Sequence, residues 1–337
     1  MIVPDKVADE IRRVAVVFNP ATGGKRATQR KRETKAALEQ AQVEVLWCET
    51  TEEDSGEGHA RRAVQEGAEL VFVSGGDGTI RACASALAGT DIPLALLPAG
   101  TGNLLAVNFG VPLGLGDAIE VGLRGARARI DVGDSSSGKF VIMAGMGFDA
   151  AMLRDANPKL KSRFGALAYV LSALKHLRAP AAVYRVALDG KTPIERAAQC
   201  VLIANLGRLQ GGIVALPDAE PDDGCFDVAI IKTGSVSRWL QVAWRLLRGR
   251  RDDDPRVETF LVRGVEVEVD RPVPVEFDGE VVPDARSFSA RVQPSSLTLC
   301  VPAPSMEDER RAQPRERGNA KTPNWIPYSK KADRRLT

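Results

Sequence analysis

Little in this sequence leans to one side. Its 46 Lys and Arg face 44 Asp and Glu, and the resulting +2 is too even to argue for a nucleic-acid-binding surface. Aromatic residues make up only 5% of the chain and offer few stacking platforms for bases, so no nucleic-acid partner is expected. Cysteine is sparse as well. Cys48, Cys83, Cys200, Cys225 and Cys300 form no C-x-x-C pair, which argues against a zinc site or a disulfide framework and for reduced, mostly buried thiols. The two histidines, His59 and His176, are too isolated in sequence to build a catalytic or metal cluster and read as surface or structural residues. No apolar run approaches the ~20 residues of a membrane-spanning helix, and residues 1–13 carry charges rather than the apolar core of a signal peptide. A cytoplasmic location is the expectation.

What the chain does have is length and rhythm. Its 337 residues, 44% hydrophobic and 27% charged, suffice for the cores of two ordinary domains. In the first third, apolar runs at 14–18, 43–47, 70–73 and 94–97 read as buried strands, and the stretches 28–40, 58–66 and 79–87 between them read as helices. Such alternation predicts a doubly wound α/β domain with a mostly parallel sheet. From Arg129 the rhythm changes. Segments rich in β-formers at 182–188, 200–205, 226–231, 262–269 and 297–301, with turn residues between them, predict an antiparallel sandwich or barrel. The expected units are 1–129 for the α/β domain, 130–302 for the β domain and 303–337 for a basic, proline-punctuated, disordered tail. No internal repeat is present.

Strand 70–73 runs into Ser74, Gly75, Gly76, Asp77, Gly78 and Thr79, and a helical pattern follows at once. Ligands of open α/β sheets bind beyond the carboxyl ends of strands, where a helix start presents free N–H groups to an anion. Three glycines let the backbone approach phosphate oxygens with no Cβ in the way, while Thr79 is suited to cap the helix or to bond a phosphate. Asp77 would be repelled by bound phosphate unless a cation lay between them, so it predicts Mg2+. By itself the loop fits a tight turn equally well. The next strand, however, ends in a second small-residue loop, Pro98, Ala99, Gly100, Thr101, Gly102 and Asn103, and two such loops on neighbouring strands favour a nucleotide site. The first strand ends in Asn19, Pro20, Ala21, Thr22, Gly23, Gly24 and Lys25, placing Asn19 and Thr22 near the same ligand, although an Asn-Pro turn explains these residues too. A Walker loop is rejected, because Phe18 stands where its first glycine is needed and Arg26 follows Lys25. A dinucleotide fingerprint fails at Leu105.

Together, Asn19-Pro20 with Thr22-Gly23, the loop from Gly75 to Thr79, and Pro98 with Gly100, Thr101 and Asn103 resemble the signature of the diacylglycerol kinase catalytic-domain family, which includes bacterial lipid kinases and sphingosine kinases. The resemblance implies an N-terminal α/β domain like that of phosphofructokinases and NAD kinases, a C-terminal antiparallel β-sandwich, and ATP as co-substrate in the cleft between them. By position it implies nucleotide contacts at Asn19, at Thr50 or its neighbour Thr51, at Gly75, Gly76, Asp77, Gly78 and Thr79, and at Gly100, Thr101 and Asn103. In the second half, Gly211-Gly212 and the stretch from Pro217 to Cys225 resemble the family's loop for a structural Mg2+, with Asp223 supplying a carboxylate and Glu220 and Cys225 main-chain oxygens. Oxygen donors suit that hard cation, whereas the Cys225 thiol would not, and the same residues also fit a solvated acidic turn.

Val275, Glu276, Phe277, Asp278, Gly279, Glu280, Val281 and Val282 read as a hairpin, since Asp-Gly between alternating apolar residues is a strong turn signal. Similar family members carry Asp-Gly-Glu here with the Glu as proton acceptor, so the resemblance assigns Glu280 as the base, keeps Asp77 as the rival and gives Asp278 an orienting role. The implied activity is Mg2+-dependent transfer of the γ-phosphate of ATP to a lipid hydroxyl, by default diacylglycerol to give phosphatidic acid. A sphingoid base or other lipid alcohol is the alternative acceptor, and an NAD kinase-like enzyme or a non-catalytic nucleotide-binding module are the competing readings. A lipid substrate implies transient association with the inner face of the membrane. The basic amphipathic segments 160–178 and 235–251, the second bearing Trp239 and Trp244, fit interfacial helices and fit core-facing helices somewhat better. A homodimer is compatible with the sequence.

Overall fold

The computed structural model describes residues 11–147, 181–207, 216, 218–232 and 256–303. Its first body follows the expected alternation. β1 (Arg13–Phe18), β2 (Glu44–Glu49), β3 (Leu70–Gly75) and β4 (Leu94–Pro98) lie parallel in the order β2-β1-β3-β4. β3 is buried at every position, as an apolar run covered on both faces must be. The helices α1 (Ala27–Gln40), α2 (Glu57–Gln65), α3 (Asp77–Leu87), a short α4 (Leu104–Asn108) and α5 (Leu115–Arg124) connect or flank these strands. α3 begins two residues earlier than the apolar pattern suggests. Gly76 is its N-cap with no side-chain cap bond, so Thr79 sits in the first turn and does not cap the helix.

From β5 (Ala126–Ser135) onward the strands pair antiparallel with one another, and the last of them also meets β4 in parallel: β6 (Gly138–Phe140), β7 (Met143–Gly147), β8 (Ala182–Leu188), β9 (Ile194–Ala198), β10 (Cys200–Ala204), β11 (Phe226–Ile231), β12 (Val257–Val262), β13 (Gly264–Phe277) and β14 (Glu280–Val301). They form the β-sandwich. The single strand expected at 262–269 is in fact two. Val262 pairs with Phe226 while Gly264 pairs with Arg291, and the intervening Arg263 gives its N–H to Asp189 Oδ1 at 2.8 Å. Local β-propensity could not register that change of partner, because both partners are distant in sequence.

Two apolar cores result. The first packs Phe18, Phe72 and Leu96 of the parallel strands with Leu38 of α1 and Leu87 of α3. The second centres on Phe140, Phe226, Phe277 and Phe288, with Phe140 5.4 Å from Phe226 and Phe277 5.7 Å from Phe288 between ring centroids. Each such side chain contributes about 1.5–3 kcal/mol by leaving water. β14 serves both: Phe288 and Val292 enter the second core, Leu297 and Leu299 the first, and Leu299 pairs with Leu94 of β4. At its other end β14 joins β13 through Asp278 (φ +49°) and Gly279 (φ +88°), the left-handed pair required by the two-residue turn that Asp-Gly predicts.

Candidate active site

The strand order reverses direction between β1 and β3, so the switch point of the sheet lies where these two strands end. Asn19 follows β1 there. Its N–H donates to Ser74 O at 2.8 Å and its Nδ2 to Thr79 Oγ1 at 3.0 Å, tying the first loop to the glycine loop. Thr22 closes the Asn19 turn by donating its N–H to Asn19 O at 3.2 Å. Thr50 is buried beside the end of β1, its N–H on Phe18 O at 2.9 Å, whereas Thr51 is exposed and turns toward Asp54.

The second small-residue loop packs directly on the first. A Cβ on Gly100 would lie 2.9 Å from the Cα of Gly76, so this approach requires glycine. Asn103 (φ +47°) holds the loop's shape, accepting the Gly100 N–H at 3.0 Å and donating to Gly100 O at 2.9 Å, and Thr101 is exposed at its rim. Asp77 braces the two loops by accepting the Leu104 N–H at 2.8 Å. Beneath them lies Arg30 of α1, which the sequence analysis did not single out. It donates to Ser74 Oγ at 3.2 Å and Pro98 O at 2.7 Å, and burial lowers its pKa.

The β13–β14 hairpin reaches this place from the other body. Asp278 is buried and accepts three backbone N–H groups, from Val141 at 2.9 Å, Ile142 at 2.8 Å and Met143 at 3.0 Å. Burial pushes its carboxyl up to about 6 against the lowering effect of those bonds. The turn is tightened by Gly279, whose N–H donates to Glu276 Oε2 at 2.8 Å. Glu280 then extends over the glycine loop. Its Oε1 occupies the space that a Cβ on Gly78 would fill, 2.0 Å from that ideal position, and its Oε2 accepts from Arg81 Nη2. Thus Asn19, Asp77, Gly78, Thr79, Gly100, Asn103, Asp278 and Glu280, spread over most of the sequence, converge.

Glu220, Asp223 and Cys225 lie on the loop before β11. Asp223 Oδ1 accepts the Cys225 N–H at 2.9 Å. This loop wraps Asp131 of β5, a second residue missed by the sequence reading. Asp131 is fully buried, accepts N–H groups from Gly224 and Ser295 at 2.7 Å each, and donates its own N–H to Pro221 O at 2.6 Å. Its pKa is raised by burial first, and further by the nearby charges of Asp223 and Asp222. That excess of negative charge among oxygen donors fits a hard divalent cation. Among the described residues no group of three or more His, Cys, Asp or Glu side chains forms a metal site alone, so such a cation would need main-chain oxygens, as expected of Glu220 and Cys225. Gly211, Gly212 and Pro217, quoted for the same loop, lie outside the described residues, as do His176 and the segments 160–178, 235–251 and 304–337. His59 has its Nε2 3.7 Å from Asp54, and all five cysteines are free, with Cys83, Cys200 and Cys300 buried.

Backbone loops at a sheet's switch point, faced by a carboxylate from a β-sandwich, suit the handling of a phosphate ester. Comparison with known proteins gives the kind. Residues 13–135 match the diacylglycerol kinase catalytic domain, and residues 142–301 match the YegS C-terminal NAD kinase beta sandwich-like domain. The chain belongs to the diacylglycerol kinase catalytic-domain family and is a phosphotransferase of the lipid kinase type. It is 30% identical to a diacylglycerol kinase of Mycobacterium tuberculosis over 271 residues, covering 77% of this chain and 86% of the relative. It is 31% identical to a probable YegS-like lipid kinase of Pseudomonas aeruginosa over 292 residues, covering 84% and 93%. The crystal structure of a putative diacylglycerol kinase from Bacillus anthracis shares the fold, with a TM-score of 0.69 at 21% identity over 87% of this chain and 99% of that one. No helix among the described residues is long and apolar enough to cross a membrane.

Proposed function

We propose that the chain transfers the γ-phosphate of ATP to the hydroxyl of diacylglycerol, giving phosphatidic acid, with Glu280 as the base. The approach of Glu280 to Gly78 carries this reading. It sets a half-exposed carboxylate, open to an acceptor alcohol, against the loop whose N–H groups suit phosphate oxygens. As the lipid oxygen bonds to the γ-phosphorus, the bond to the β–γ bridging oxygen breaks, ADP departs and the hydroxyl proton passes to Glu280. Asn19, Thr22, Thr50, Thr79, Thr101 and Asn103 shape or contact the nucleotide, and Gly75, Gly76, Gly78 and Gly100 leave room for it. Asp278 supports the base and is not the base itself, because its two oxygens are occupied by three backbone donors. Mg2+ at Asp77 would neutralise the phosphate charge, and the oxygens of Glu220, Asp223 and Cys225 would hold a second, structural ion. A lipid acceptor requires transient contact with a membrane surface.

Purified protein incubated with labelled ATP, Mg2+ and mixed micelles of diacylglycerol, sphingoid base or another lipid alcohol should yield labelled phosphatidic acid. Transfer to NAD and to none of the lipids would overturn the acceptor. E280Q should lower kcat by about 10³-fold while leaving the Kd for ATP unchanged. Equal loss of both would make Glu280 structural.

A further inference from the structure

Arg81 lies one helical turn beyond Asp77 on α3 and meets the hairpin tip. Its Nη2 donates to Glu280 Oε2, joining residues 199 positions apart in sequence and belonging to different bodies. The cation is the better buried partner, its side chain 22% exposed against 51% for the carboxylate, and Arg81 Nε is buried without a hydrogen-bond partner. An ordinary surface pair leaves its guanidinium N–H groups in water, where none lacks a partner. Here a buried N–H goes unsatisfied, a cost that a half-exposed ion pair does not return. A pair exposed to this degree adds little to stability, so the contact calls for another role.

The carboxylate it holds is constrained from both sides. Glu280 Oε1 rests where Gly78 lacks a side chain, and Oε2 is fixed by the guanidinium. The rest of the tip is anchored without Arg81, by the three backbone N–H groups on Asp278 and by the Asp278 N–H on Met143 O at 2.9 Å. Only the Glu280 side chain is left for Arg81 to place. The charge of Arg81 also reaches Asp278 and opposes the effect of burial there. We infer that Arg81 is a positioning residue for phosphoryl transfer, which holds the Glu280 carboxylate over Gly78 so that it meets the acceptor hydroxyl in line with the phosphate. This inference rests on Glu280 being the base, and it gives Arg81 no contact of its own with ATP.

Two measurements test it on the full chain. In ATP-to-diacylglycerol transfer, R81A should lower kcat by about 10²-fold with the KM for ATP unchanged, and added guanidinium ion should restore part of the loss. In an E280Q background the residual rate should not fall further when Arg81 is also replaced, because the residue acts only through Glu280. Independently of activity, carbodiimide labelling followed by mass spectrometry should show Glu280 modified faster in R81A than in the wild type, with the almost fully exposed Asp91 as internal reference. An equal loss in both backgrounds, or a raised KM for ATP, makes Arg81 a phosphate ligand and overturns the inference. Unchanged Glu280 labelling overturns it as well. A wild-type kcat in E280Q removes the base assignment instead, and labelling then still reports whether Arg81 holds that carboxylate.

Discussion

Where the two bodies meet, the parallel one presents Gly75, Gly76, Gly78 and Gly100, while the antiparallel one presents Glu276, Asp278 and Glu280 within a single hairpin. The contrast follows from what each kind of element has to offer. Strands that feed helices end in N–H groups with fixed directions, and bare backbone lets an anion approach them. A hairpin tip has few spare N–H groups but carries side chains outward. Asp278 points back to anchor the tip, and Glu280 points across. One body is suited to receive negative charge and the other to accept a proton, so the proposed function requires both in alignment.

The sharpest way to break that alignment is at its anchor. D278A would strand the buried N–H groups of Val141, Ile142 and Met143, and should cost at least about 3 kcal/mol in urea denaturation as well as most of the activity. The same residue predicts a pH dependence. With the folded carboxyl near 6 and an unfolded Asp near 3.9, the folded chain retains a proton that the unfolded chain has released. Its contribution to stability therefore declines as pH rises from about 4 to about 6, by up to about 3 kcal/mol, and is level above. Denaturation at several pH values should show this slope in the wild type and not in D278N.

A subtler break leaves both anchors intact. In G78A the new Cβ would fall 2.0 Å from Glu280 Oε1, and the flexible end of that side chain must move aside. Alanine also favours the helix, although in the first turn by less than the ~1 kcal/mol of an interior position. The expected result is an unchanged or raised Tm with kcat down by about 10²-fold, and an active G78A would show that the two bodies need not meet at this point. The smallest effect is expected on the acidic loop. Mg2+ should raise the Tm of the wild type over an EDTA reference, and D223A should need about tenfold more Mg2+ for the same gain, near 1.4 kcal/mol.

What the sequence reveals is what neighbours in the chain decide. The alternation of β1 to β4 with α1 to α3, the glycine loop after β3 and the Asp278-Gly279 turn are legible because strand burial, helix starts and turn geometry depend on a few adjacent residues. The division at Arg263 is not, since it reflects a change from Phe226 to Arg291 as pairing partner. Arg30, Arg81 and Asp131 were missed for the same reason. An arginine on a helix reads as a solvated charge until Pro98 O or Glu280 is known to lie beside it. Asp131 did leave a trace, an acid between Ile130 and Val132 in a strand otherwise apolar at that stretch, which is costly unless its oxygens have donors.

β14 begins at the candidate base and ends beside β4, and this has a consequence for how the protein is made. On a ribosome adding about 5–20 residues per second, the roughly 200 residues between Leu94 and Leu299 take about 10–40 s to appear. Throughout that time the parallel sheet waits with an open edge at β4, a template for any passing strand. β14 meets that edge where Leu299 lies beside Leu94, so the last of the described strands to be delivered is also the one that brings Glu280 to the glycine loop.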